Sequence, residues 1–135
     1  MHPKYSEYFG FTEEEVDEIN EELERIRLER VGTTSPEGKV WGDYDPFVYP
    51  HKLSEKLEAL FAHPKVLEAC EFLMEGEVDG MQSWVYFKPP GQLGRDQHQN
   101  AFYTGCGHNE IVNVAIALDN HDPDNGAVWN YEGSH

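Results

Sequence analysis

Met81-Gln82-Ser83-Trp84-Val85-Tyr86-Phe87-Lys88, closed by Pro89-Pro90-Gly91, is the stretch on which the fold turns. Before Gly80 the apolar residues recur every three or four positions; after it they alternate and are aromatic or β-branched. Such a stretch predicts a strand, because strand side chains repeat every two residues, and Pro-Pro-Gly is a strong stop. Three further strands are predicted downstream: His98–Thr104, Ile111–Leu118 and Ala127–Tyr131. Val112, Val114, Ile116 and Leu118 would share one face of the third. A dense turn signal, Asp119 to Gly126, separates the last two.

Upstream the pattern is helical. Thr12 with Glu15 three residues on forms a capping box, and Phe11 with Val16 stands at the positions of a hydrophobic staple. Val16, Ile19, Leu23 and Ile26 fall on one stripe, acids crowd the first turn, arginines the last, and Gly32 follows as a stop. Residues 33–50 read as a loop whose aromatics, Trp41, Tyr44, Phe47 and Tyr49, suit it to lie over a surface. A second helix is expected near residues 52–62, and a third from Pro64 to the Gly76 stop. Helices first and strands afterwards define an α+β class rather than alternating βαβ units.

Composition narrows the function. The 135 residues fit one domain, at about 100–200 residues each. A net charge of −16, from 26 acids against 10 bases, argues against nucleic acid and against an anionic membrane surface. No apolar run approaches the roughly 20 residues of a membrane span, and Met1–Tyr5 is not followed by the apolar core of a secretory signal. Cys70 and Cys106 have no CxxC spacing and read as reduced thiols in a cytoplasmic protein, with a single bridge between them left open.

The chemistry lies in residues 82–135. Three pieces stand in order: Tyr86 to Gly91; Gly94-Arg95-Asp96-Gln97-His98-Gln99-Asn100-Ala101-Phe102-Tyr103; and Ala117-Leu118-Asp119 through Asn125-Gly126-Ala127 to Gly133-Ser134-His135. In this order they resemble the phytanoyl-CoA dioxygenase family of iron(II)- and 2-oxoglutarate-dependent oxygenases. That family carries an FKPPG-like strand end, then HQD with aromatics, then an ALDD…NGAL…PGSH run. The resemblance implies helices packed on a double-stranded β-helix, the cupin-type jelly roll. It also implies hydroxylation of a small organic or acyl substrate, with Fe(II) and 2-oxoglutarate as cofactors. Only about four of the fold's eight strands would be present. The expectation is therefore a single incomplete domain, residues 1–76 helical and 77–135 the first jelly-roll strands. Its open sheet edges would be prone to associate, though nothing in the sequence sets an oligomeric state.

A two-His, one-carboxylate triad holds iron in such enzymes. The resemblance assigns the metal to His98 and to residue 100, two positions on and so on one face of a strand. On its own His98 would be an ordinary core or surface histidine. Position 100 is Asn where the family usually has Asp, and a neutral amide is the weaker ligand for a hard dication. Asp96, also two positions from His98, is the fallback carboxylate. Related halogenases lack the carboxylate too, but they carry a small residue there, and Asn is bulkier. Lys88 would hold a carboxylate of 2-oxoglutarate, or else be an exposed strand-end charge. Gln82, six residues earlier, matches a substrate position, and Tyr103 and Trp129 would wall the cavity or pack in the core. His135 does not match the second metal histidine, which in the family comes later and is followed by an arginine. Two further readings follow from the same residues. One is a non-catalytic relative that binds or regulates; the other is an acidic helical interaction module centred on residues 12–30.

Overall fold

The computed structural model describes residues 10–107 and 110–134. The first element is helix α1, Glu13–Arg30. Its capping box is formed: the Glu15 amide donates to Thr12 Oγ1, and the Thr12 amide donates to Glu15 Oε2 at 2.7 Å. The Thr12 amide, and then the Thr12 hydroxyl donating to Glu15 Oε2 at 3.0 Å, hold the Glu15 carboxyl below the usual carboxylate range. Arg25 bridges Glu22 and Glu29 along the exposed side, and its bonds draw Glu22 down to about 2. Phe11 at the helix entry meets the His63 ring edge-on, at 5.1 Å between centroids.

The buried stripe Ile19, Leu23 and Ile26 faces Phe47 and Leu57, and these five make the core. Trp41, Leu60, Val85, Phe87 and Leu118 pack around it half-buried. The 33–50 segment lies over α1 as expected, with a short turn in which Thr34 bridges Val40 and the buried Ser35 caps the Lys39 amide. The Arg30 guanidinium stands 4.0 Å from the Trp41 ring centroid and 4.9 Å from that of Phe47. Within this segment the structure adds a strand that the two prolines masked, β1, Phe47–Val48. A 3-10 turn, Pro50–Lys52, leads into helix α2, Glu55–Phe61, capped by Ser54, and helix α3, Pro64–Met74, opens with its proline. Val66, Ala69 and Cys70 are buried on α3, and burial pushes the Cys70 thiol up. Leu73, three positions beyond Cys70, is exposed. Neither Cys70 nor Cys106 is in a disulfide.

Strand β2 is Trp84–Val85, antiparallel to β1 with Phe47 opposite Val85 and Val48 opposite Trp84. The Tyr49 amide extends the pairing to the Ser83 carbonyl at 2.8 Å. The expected Met81–Lys88 strand is thus two residues long in the ladder, since β1 offers no more partner backbone. Alternation continues beyond it: Val85 and Phe87 turn to the core while Trp84, Tyr86 and Lys88 are exposed.

Three strand expectations are corrected. His98–Thr104 is not a strand; Asn100–Thr104 is a short helix, α4, ended by Gly105 in the left-handed region with its amide on the Ala101 carbonyl. Ile111–Leu118 and Ala127–Tyr131 carry no ladder. A strand needs partner backbone, and nothing is aligned beside these segments; where it can, the chain meets its backbone needs locally, as α4 does. Among the described residues the sheet is a two-stranded pair and no jelly roll is formed, while the α+β class stands. No described helix is long and apolar enough to cross a membrane.

Candidate functional site

The first two sequence pieces are near neighbours in the chain, and side-chain bonds join each of them to the distant third. Lys88 Nζ donates to the Gly126 carbonyl at 2.8 Å. Gly126 has φ +93°, and a Cβ there would lie 3.2 Å from Lys88 Cδ and Nζ, so glycine both allows the turn and admits the ammonium. Gln97 Nε2 donates to Tyr131 Oη at 2.5 Å, and Gln99 Nε2 donates to the Ser134 carbonyl. These two glutamines flank His98, so the loop before α4 is fastened on both sides of the histidine. The 119–126 turn organises itself: Asp122 Oδ1 accepts from the amides of Asp124 and Asn125, and Asn125 Oδ1 accepts from the Asp122 amide. Leu118 joins the turn to α1, where Asn20 Nδ2 donates to its carbonyl at 2.7 Å.

His98 is exposed, and its Nδ1 lies 2.8 Å from the Asp96 carbonyl. A carbonyl only accepts, so Nδ1 carries the proton and Nε2 keeps the lone pair that could ligate. A backbone carbonyl on the other nitrogen is the usual way a ligating histidine is oriented. Tyr103 meets the ring edge-on at 5.5 Å. Asp96 reaches His98 through its carbonyl, not its carboxylate. Asn100 is the first residue of α4, so the every-second-residue alignment with His98 no longer applies. Among the described residues no three His, Cys, Asp or Glu side chains come close enough to hold a metal. The described residues as folded do not make an iron(II) site. His135 lies outside the described residues.

The remaining expected residues separate. Gln82 is half-buried just ahead of β2. Tyr103 and Trp129 are exposed, at 72% and 76%. Residues not singled out from sequence do part of the joining: Gln97 and Gln99 by their bonds, and Trp84, Tyr86 and Arg95 by stacking. Parity with Gln82 and Lys88 was the signal that could have found Trp84 and Tyr86.

What fold and site define together is an α+β domain in which an FKPPG-type strand end, a histidine loop and an NGA…GSH turn are bonded to one another. The chain belongs to the phytanoyl-CoA dioxygenase (PhyH) family, whose model matches residues 9–135. It is thereby a dioxygenase-type domain, an oxidoreductase by class. Comparison with curated proteins and with solved structures gave no match.

Proposed function

We propose that the chain is a domain of an iron(II)- and 2-oxoglutarate-dependent dioxygenase that hydroxylates a small organic or acyl substrate. One observation carries the reading beyond family membership: the bonds Lys88–Gly126, Gln97–Tyr131 and Gln99–Ser134 join the three pieces the family shares. In such enzymes substrate oxidation is coupled to decarboxylation of 2-oxoglutarate to succinate. His98 is the metal ligand this chain offers, through Nε2. Lys88 is the cation for a 2-oxoglutarate carboxylate; an ammonium has three donors, and Gly126 takes one. Gln82, Tyr103 and Trp129 are the substrate residues of this reading.

A second reading has its own observation. Asn100 supplies no carboxylate, and no three-ligand group forms among the described residues. On that reading the domain binds or regulates without turnover.

Manganese(II) titration by calorimetry, with succinate release measured alongside, separates the two. Under the dioxygenase reading, Asn100→Asp tightens binding by about tenfold or more, the scale of a metal-site interaction. His98→Ala abolishes binding in either background, since it removes the imidazole donor. If Asp96 is the working carboxylate, Asp96→Ala removes binding and Asn100→Asp changes little. Equal affinities in all variants would put the non-catalytic reading first. The native chain is expected to release no succinate with iron(II), ascorbate and O₂; clear release would show that a complete ligand set assembles.

A further inference from the structure

Trp84 and Tyr86 stand two residues apart on one side of extended chain, opposite Val85 and Phe87, which turn to the core. Their ring planes are 3° apart and their centroids 5.7 Å apart. Neither ring is buried: Trp84 is 44% exposed and Tyr86 46%. The Arg95 guanidinium carbon lies 4.5 Å from the Tyr86 centroid. Among the described residues Arg95 has no carboxylate partner, in a chain carrying 26 acids. The same parity places Gln82 before Trp84 and Lys88 after Tyr86. The row therefore runs amide, ring, ring, ammonium, with a guanidinium over the second ring.

Large aromatic side chains gain most by burial, and two left in solvent side by side form an apolar surface with a direction. Parallel rings present their π faces and edges to something flat. A guanidinium stacked on one ring keeps its edge donors for a planar, two-oxygen partner, which is the geometry of a carboxylate. The chain carries a net charge of −16, yet here a guanidinium lies over a ring, and among the described residues no acid is paired to it.

We propose that Trp84, Tyr86 and Arg95 form a binding site for a flat aromatic carboxylate. The ligand ring lies against Trp84 and Tyr86, and its carboxylate meets Arg95. The site names a substrate class for the dioxygenase reading, and in that respect rests on it, but binding itself needs neither iron nor 2-oxoglutarate.

The test is a titration of the full chain with indole-3-acetate, followed by NMR of the three tryptophan indole N–H signals, assigned by loss in Trp41→Phe, Trp84→Phe and Trp129→Phe. Indole (ring, no charge) and cyclohexaneacetate (charge, no aromatic ring) are the controls. A saturating shift of the Trp84 signal is expected, with indole-3-acetate bound more tightly than either control. Trp84→Leu, with binding read from the ligand's own proton signals, should weaken it by about 5–10-fold, the scale of an aromatic pair, and Trp84→Tyr read in the same way should retain most of it. Arg95→Gln should weaken the acid and leave indole unchanged. Equal binding of cyclohexaneacetate, or an affinity for indole-3-acetate, read from the ligand's own signals, that Trp84→Leu leaves unchanged, would overturn the proposal. So would linear, non-saturating shifts. Succinate release without selective ring binding would refute this site and leave the dioxygenase reading standing. Selective ring binding together with manganese(II) affinities unchanged by His98→Ala and Asn100→Asp would keep this site and refute the dioxygenase reading.

Discussion

Residues 12–74 and residues 81–134 are folded by different means. The first region holds every buried residue described, from Ile19 to Cys70, and three capped or proline-started helices. The second contributes half-buried Val85, Phe87 and Leu118 to the same core and otherwise lies at the surface. Its order comes from side-chain bonds between distant loops. Helices satisfy their backbones from residues four positions away, so a short sequence can specify one. Strands satisfy theirs only through a partner, and the partner offered to the second region is the two-residue β1.

That contrast is broken or sharpened most forcefully by truncating one ring in each region. Phe47 is 2% exposed and touches both the α1 stripe and Phe87. Phe47→Ala should cost about 3–5 kcal/mol, as large-to-small core changes do, and should also loosen the β1–β2 pair. Trp129, 76% exposed, is a larger ring, yet Trp129→Ala should stay within about 0.5 kcal/mol. Urea denaturation followed by far-ultraviolet circular dichroism reads both. Comparable losses would mean that the second region packs as a core of its own.

The seam between the regions gives the next effect. Gly80 has no φ constraint, but a Cβ there would sit 2.5 Å from Cε1 of Phe61. The Phe61 ring is itself stacked on His51, 4.1 Å between centroids and 8° between planes, and His51 Nδ1 contacts Ser83 Oγ. The ring cannot yield without disturbing that stack. Gly80→Ala should therefore destabilise by about 1–3 kcal/mol, the range for overpacking. Gly76→Ala, where a Cβ meets nothing, is the control. A neutral Gly80→Ala would show that the seam is loose and that the two regions are fastened elsewhere.

The same division governs what could be read from sequence. Thr12, Pro64 and the α1 stripe stated their structure locally, and each is formed. The break after Gly80 was legible in the change of period, and at Gly80 itself the Phe61 ring leaves no room for a Cβ. Phe47–Val48 was hidden because Pro46 and Pro50 read as loop, although a short edge strand tolerates flanking prolines. The apolar alternation of Ile111–Leu118 was real in sequence, but alternation states a preference and not a partner. At the site, motif order located the three pieces and Lys88, while the bonds joining them run through Gln97 and Gln99, which no periodicity marks. His98 was read from the same motif order, and the strand expected to align it with Asn100 is replaced by α4.

The smallest expected effect tests the local logic at its start. Thr12 and Glu15 exchange bonds at the α1 entry, and Thr12→Ala removes the hydroxyl that receives the Glu15 amide. The loss should be about 1 kcal/mol, the usual worth of an N-cap side chain. Glu15 is held below the ordinary carboxylate range, first by the Thr12 amide and then by the Thr12 hydroxyl. A lowered folded pKa means that the unfolded state binds its proton first as pH falls. The contribution of Glu15 is therefore complete above its unfolded pKa and is lost as pH drops through the folded one. Glu22, drawn down to about 2 by Arg25, behaves in the same sense and extends the window downward. Stability of the native chain should thus decline between about pH 5 and pH 2. Thr12→Ala should flatten that decline only in part, because the Thr12 amide still binds Glu15. Glu15→Gln should flatten it more, since glutamine does not titrate in this range. Thermal melts of the three chains from pH 7 to pH 2 check this, and a slope unchanged by Glu15→Gln would leave the acid sensitivity to Glu22 and its Arg25 bonds instead.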